Sequence, residues 1–146
     1  MTTVQQHEPD WEQMRRSAGP YPIEAFNFVR EGLSYTVQRL HEDYETLPEI
    51  DRHISGQQLC MGLRDFAIQQ YGMLAPVVLD RWFVRRTDDF GRIVFAMIDS
   101  GLMSKTEKDN VDDFRMVYDF DEAFCPTELA RWIGVEQPSD RIVRSS

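Results

Sequence analysis

The chain has 146 residues, of which 42% are hydrophobic and 12% aromatic, and this composition excludes a disordered protein and allows one domain with its own core. Its net charge of −9 and isoelectric point near 4.7 disfavour nucleic acid as a partner, because an acidic surface repels phosphates. Two cysteines are too few for a disulfide framework. The sequence has no run of 18 apolar residues and no signal-peptide core, so we expect a cytoplasmic protein that does not enter a membrane.

Residues 1–20 are mostly polar, and we expect them to form a mobile N-terminal arm. A short docked helix around Trp11 is the alternative for this segment. Residues 21–124 are predicted to form a single compact domain. Residues 125–146 are expected to be a C-terminal extension with a short helix and a frayed tail.

A long first helix is predicted to open at Tyr21-Pro22, where proline suits the first turn. Apolar residues follow in two stripes, which indicates packing on two sides, and the helix should fade near residues 41–44. Gly32 lies within these stripes. Because glycine lowers helix propensity, its presence there predicts a close crossing with another helix.

The second helix has the clearest start signal in the chain. Ser55 and Gln58 have the spacing of a capping box, and Gly72 is predicted to end the helix. A short, largely apolar third helix follows over residues 74–84. Very short links connect these helices to the next one, so we expect them to be neighbours in space.

A fourth helix is predicted between Thr87, whose hydroxyl can cap it, and Gly101, which can end it. Apolar residues recur at helical spacing between these two positions. Beyond Gly101 the apolar period changes to two over residues 114–120, which is typical of a half-buried strand. Residues 102–106 could supply its antiparallel partner. The predicted fold is therefore mainly α with a small antiparallel β-hairpin (α+β). Its core is a winged-helix-like helix–helix–helix–hairpin unit, preceded by the long N-terminal helix.

One basic cluster stands out in this acidic sequence, and it surrounds an aromatic residue. It could contact an acidic protein surface or a phosphate, whereas the plainer interpretation is that its arginines pair with Asp80, Asp88 and Asp89. The predicted partner-binding residues are Arg81, Trp82, Arg85, Arg86 and Arg92. The hairpin beyond them carries more acids than cations, which suits a basic protein partner better than a phosphate backbone.

The sequence has none of the common motifs of catalytic, cofactor-binding or metal-binding sites. It contains no zinc-ligand spacing, P-loop, nucleophile elbow or dinucleotide fingerprint, so we assign no catalytic, cofactor-binding or metal-binding residue and expect no cofactor. Cys60 with His53 could in principle form a thiol–imidazole pair. Cys60 lies at the edge of an apolar helix face, however, where thiols are usually inert.

Six segments of the sequence are distinctive in combination: HISGQQLC (53–60), GLR (62–64), TDDFGRIVF (87–95), DF (113–114), YDF (118–120) and AF (123–124). Together they resemble a family of conserved hypothetical proteins restricted to Planctomycetes and Verrucomicrobia. The chain departs from that pattern at Met61, where an acidic residue is usual, and at Phe83, where glycine often follows the tryptophan. The resemblance implies one compact domain in a bacterial cytoplasm and no catalytic residues.

The sequence favours a protein-interaction or assembly module, which would bind another protein or a second copy of itself. A winged-helix-like nucleic-acid-binding regulator is the alternative. A small enzyme with a site near His53 and Cys60 is the third hypothesis.

Overall fold

The computed structural model describes residues 2–3, 11–43, 54–104 and 109–133. Within these ranges the chain is mainly helical, and none of the helices is both long and apolar enough to cross a membrane. In chain order the elements are β1 (Thr2–Thr3), α1 (Trp11–Ala18), α2 (Ile23–Asp43), α3 (Gly56–Tyr71), a 3₁₀ turn (Gly72–Leu74), α4 (Ala75–Arg81), α5 (Thr87–Asp99), β2 (Met103–Ser104), a second 3₁₀ turn (Val111–Phe114), α6 (Phe120–Ala123) and α7 (Pro126–Ile133).

Helices α2 and α3 cross closely at two glycines. A Cβ atom at Gly32 would overlap the Leu63 side chain, and a Cβ atom at Gly62 would overlap Thr36. The Thr36 hydroxyl donates a hydrogen bond to the Gly32 carbonyl at 2.7 Å, so this buried polar group is satisfied at the crossing. The close crossing predicted from Gly32 is therefore confirmed.

The predicted ends of α3 are confirmed. The Gln58 amide donates to the Ser55 hydroxyl at 3.2 Å, and the Gln58 side chain accepts from the Ser55 amide at 2.9 Å. Gly72 ends the helix with a φ of 54°, which glycine adopts without a Cβ clash.

The predicted end of α5 at Gly101 is also confirmed. Gly101 has a φ of 86° and donates to the Ile98 carbonyl, while the Leu102 amide donates to the Met97 carbonyl at 2.9 Å. This pair of bonds is the Schellman arrangement, which satisfies carbonyls that the helix leaves free.

The predicted β-hairpin is wrong for the residues described here, and the winged-helix-like interpretation fails with it. Residues 111–114 form a 3₁₀ turn, Met116 has a φ of 46°, and residue 120 begins α6. The short strand Met103–Ser104 pairs antiparallel with Thr2–Thr3 instead.

The physical reason is that alternating apolar residues reach the core from an irregular chain. Phe114 is buried against Gly56 and Gly91, and Phe120 packs on Phe90 with ring centroids 5.9 Å apart. Met116, which the strand pattern places on the same face, is 82% exposed.

The prediction of a mobile N-terminal arm does not hold for residues 11–18, which form α1. Met14 is buried, and Trp11 contacts Phe26 edge to face with ring centroids 6.0 Å apart. The docked helix around Trp11 is thus the alternative that the structure contains, because both side chains pack against the core and so favour docking. The short C-terminal helix is present as α7, and its Leu129 is buried beside α3 and the first 3₁₀ turn.

Candidate functional site

The start of α5 is fixed by the carboxylate of Asp89, which is only 8% exposed. One oxygen accepts from the amides of Arg85 and Arg86 at 2.8 and 3.0 Å, and the other accepts from the Tyr21 hydroxyl. Asp89 therefore caps the helix by reaching back to the preceding backbone, and the predicted capping role of Thr87 is wrong. Burial and the bond to Asp89 raise the pKa of the Tyr21 hydroxyl.

Thr87 and Asp88 instead hold the loop that follows Phe114. The Thr87 hydroxyl donates to the Phe114 carbonyl at 2.7 Å and accepts from the Val117 amide at 3.0 Å. The Asp88 carboxylate accepts from the Met116 amide at 3.2 Å. These bonds replace the strand partner that a hairpin would have supplied, and they bring the loop against the start of α5.

A cavity of about 190 Å³ lies between the start of α5 and this loop. Two arginines, a methionine and two aromatic rings line it, and the rings of Tyr118 and Phe120 stack with centroids 5.7 Å apart. We call the cavity together with the neighbouring Phe83 the α5 site. The cavity-lining residues are Arg85, Arg86, Thr87, Asp88, Met116, Tyr118, Asp119 and Phe120.

Phe83 and Met116 are the two residues other than glycine that have positive φ, at 64° and 46°, within the described part of the chain. Both are large and apolar, and they are 47% and 82% exposed. The Arg85 guanidinium lies 5.6 Å from the centre of the Phe83 ring, so Arg85 connects Phe83 to the cavity that Met116 lines. A left-handed conformation costs a residue with a Cβ about 1–2 kcal/mol, which the surrounding contacts must offset.

The structure brings some of the predicted partner-binding residues together and separates others. Arg85 and Arg86 line the cavity, and Arg81 is exposed at the end of α4. Arg92 lies farther along α5, 3.7 Å from the Asp89 carboxylate. Trp82 packs into the aromatic core, with its ring centroid 5.5 Å from that of Phe28.

The plainer interpretation of the arginines, that aspartates neutralise them, holds for part of the cluster. Arg85 pairs with Asp80 at 2.9 Å. Among the described residues, no carboxylate forms an ion pair with Arg81 or Arg86. The basic cluster thus retains two exposed cations available to a ligand.

The thiol chemistry considered for Cys60 has no support in the structure. Cys60 is free and fully buried, and burial together with the nearby Asp88 raises the pKa of its thiol, which keeps it protonated and unreactive. Its carbonyl accepts from the Tyr118 hydroxyl at 2.8 Å. His53 lies outside the described residues, and within them no group of three His, Cys, Asp or Glu side chains could hold a metal ion.

A second depression, of about 340 Å³, lies between α2 and α3. Arg39 and Asp65 both line it and pair at 3.1 Å, so its principal charges neutralise each other. Met61, which departs from the resembled family pattern, is partly exposed at this depression. Among the described residues that line this depression, Arg39 is the one cation, and it is paired with Asp65, unlike Arg86 in the α5 site.

No family model, curated protein or solved structure matches the chain. The resemblance to a family from Planctomycetes and Verrucomicrobia therefore stays a prediction. Met116 was missed by sequence reasoning, because the period of two placed it on the buried face of a strand. The left-handed backbone of Phe83, with a φ of 64° that suits glycine, was also missed.

Proposed function

We propose that the protein is a cytoplasmic protein-interaction or assembly module that binds a polypeptide at the α5 site. The observation that carries this proposal is the exposure of Phe83 and Met116, both in left-handed backbone conformations. The Arg85 guanidinium lies over the Phe83 ring, and Arg85 and Met116 line the same cavity. Backbone strain concentrates at ligand-binding positions, and exposed apolar side chains grouped together are typical of interaction surfaces.

The size of the cavity supports a polypeptide ligand. At about 190 Å³ it is smaller than the roughly 300–1,000 Å³ of most small-molecule sites. It can accommodate one anchoring side chain of a partner. Its arginine, methionine and tyrosine belong to the residue types that are enriched in the cores of protein interfaces.

A neighbouring apolar surface on the first 3₁₀ turn and α4 also supports an interaction role. Met73, Leu74 and Val77 are each more than half exposed, and α4 leads directly into the loop that contains Phe83. A partner that covers the α5 site could extend along this surface. Such an extension would add the contact area that a single anchor lacks.

Site-specific photo-crosslinking in cells of the source organism tests the proposal. A benzophenone amino acid is placed at Met116, at Phe83 or, as a control, at the exposed Gln38, which lies about 22 Å along α2 from its start at Ile23. We expect one discrete crosslinked product from Met116 and Phe83 and none from Gln38. A product of twice the 17.2 kDa chain mass identifies self-association, and a larger or smaller one identifies another protein.

The proposal is wrong if neither Met116 nor Phe83 gives a discrete product. It is equally wrong if Gln38 gives the same product in the same yield, because the contact would then not depend on the α5 site. Circular dichroism of each substituted protein establishes that the chain is folded in every case.

A further inference from the structure

We infer that the α5 site binds a short polypeptide segment in which an apolar anchor lies next to an aspartate or glutamate, and that this carboxylate pairs with Arg86. The inference rests on the proposed function and adds the chemistry of the partner. It commits the site to a protein ligand with one apolar and one acidic recognition element.

The charges of the site indicate that the ligand has an acidic residue. Arg85 is engaged by Asp80 at 2.9 Å, whereas Arg86 is exposed, lines the cavity and has no ion-pair partner among the described residues. A guanidinium presents a planar set of donors that matches a carboxylate with two parallel hydrogen bonds. Arg86 is therefore the cation in the cavity wall that is free to bind a carboxylate.

The carboxylates that line the same cavity are already used by backbone amides. Asp88 accepts from the Met116 amide at 3.2 Å, and Asp119 accepts from the Asp121 amide at 2.8 Å, where it caps α6. Neither carboxylate forms an ion pair with Arg86 within the described residues. A partner carboxylate can therefore pair with Arg86 without displacing an ion pair that these residues show.

The walls of the cavity indicate that the ligand has an apolar anchor. The Tyr118 and Phe120 rings stack within its lining, and Met116 lies beside them with a flexible side chain that can adjust to different anchors. An aromatic or long aliphatic side chain fits this lining best, because burying it removes apolar surface from water on both partners. Phe83 can then cover the anchor from the side of Arg85.

The overall charge of −9 favours a protein ligand over a nucleic acid. At physiological ionic strength, charges are screened beyond about 8 Å, so a single partner carboxylate responds mainly to the nearby Arg86. A nucleic acid would bring many phosphates against an acidic surface, and two exposed arginines, Arg81 and Arg86, would not compensate for them.

Peptide display on the purified full-length chain tests the inference. Random 12-residue peptides on phage are selected on the wild-type protein, on Arg86→Glu and on Arg16→Glu, a matched charge reversal at an exposed position on α1. We expect wild type and Arg16→Glu to enrich an aromatic or long aliphatic residue within three positions of Asp or Glu. Arg86→Glu should instead enrich Lys or Arg beside the same anchor.

Fluorescence polarisation of the best wild-type peptide then gives the size of the effect. Arg86→Gln and Met116→Asp should each weaken binding at least tenfold, and Arg16→Glu should leave it unchanged. Arg86→Gln serves as the second variant because it removes the charge without adding a new one near Asp88.

The inference is overturned if no shared motif emerges, or if Arg86→Glu selects the same acidic peptides as the wild type. It is also overturned if a generic DNA duplex, and no peptide, binds in an Arg86-dependent way. These failures differ from a failure of the proposed function, because crosslinks from Met116 in cells would persist while the acidic-anchor motif disappeared.

Discussion

Replacing Asp89 by alanine should destabilise the protein by about 3 kcal/mol, because this carboxylate makes three hydrogen bonds at the start of α5. Two of these come from backbone amides of the loop before the helix. The third comes from Tyr21, a residue 68 positions away in sequence, so the carboxylate joins the segment before α2 to α5.

The magnitude follows from what each donor loses. Hydrogen bonds to charged groups contribute about 1.5–3 kcal/mol each, but the amides of Arg85 and Arg86 lie near the surface and can bind water after the substitution. The Tyr21 hydroxyl is buried and would lose its partner, at a cost of about 1–3 kcal/mol. Asp89→Asn should cost only about 1 kcal/mol, since an amide oxygen can still accept from the two amides.

Urea unfolding followed by circular dichroism measures these changes. Asp99→Ala is the matched control, because Asp99 is exposed in the last turn of the same helix, where a negative charge is not favoured. Loss of the Asp99 carboxylate should change stability by less than about 0.5 kcal/mol. A double-mutant cycle of Tyr21→Phe with Asp89→Ala should give a coupling of about 1 kcal/mol. If Asp89→Ala proves as mild as Asp99→Ala, the assignment of Asp89 as the cap is refuted.

Three further outcomes follow from burial and backbone geometry. Phe83→Gly should be more stable than Phe83→Ala by about 1 kcal/mol in urea unfolding, because both remove the ring and only glycine is unstrained at a φ of 64°. Gly62→Ala should lower the unfolding free energy by about 2 kcal/mol through its overlap with Thr36, and adding Thr36→Ala should recover part of the loss. Burial raises the folded-state pKa of Cys60 and Tyr21, so their contribution to stability is complete below the ordinary values of about 8.5 and 10 and is lost as pH rises above them. Between pH 8 and 11 the unfolding free energy measured in urea should fall, by up to about 1.4 kcal/mol per pH unit for each group. Cys60→Ala and Tyr21→Phe should each make that fall shallower.

The helix ends could be predicted from the sequence because their causes are local. The Ser55 capping box involves residues three positions apart, and Gly72 and Gly101 act within one turn of the helix that each one ends. The glycine in the first helix predicted a close crossing for a similar reason. The sequence could not identify Gly62 as the second glycine of that crossing, because the proximity of Gly32 and Gly62 depends on how α2 packs against α3.

The segment after α5 could not be predicted because distant side chains determine its conformation. Thr87 hydrogen bonds to the backbone 27 and 30 positions later, and Asp88 bonds 28 positions later. With these groups satisfied, the loop needs no strand partner, and aromatic residues spaced two apart can reach the core from a turn. A period of two in a short segment therefore indicates buried side chains without specifying a strand.

The α5 site shows the same division between local and distant causes. The cluster of arginines is adjacent in sequence, and two of its members, Arg85 and Arg86, do line one cavity. Trp82 has the same neighbours in sequence, yet it packs against Phe28 and Tyr71. The exposure of Met116 follows from Asp88, which fixes its backbone, and no pattern within residues 109–124 indicates that bond.

Stability and binding should therefore oppose each other at Phe83. Its left-handed backbone is strained, so glycine at this position should stabilise the fold relative to other residues. The ring, however, lies against Arg85 at the edge of the cavity and would be lost from the interface. Retention of a strained residue at a cost in stability is what a binding role predicts. A Phe83→Gly protein that gained stability and bound its peptide with unchanged affinity would show that the ring is not part of the site.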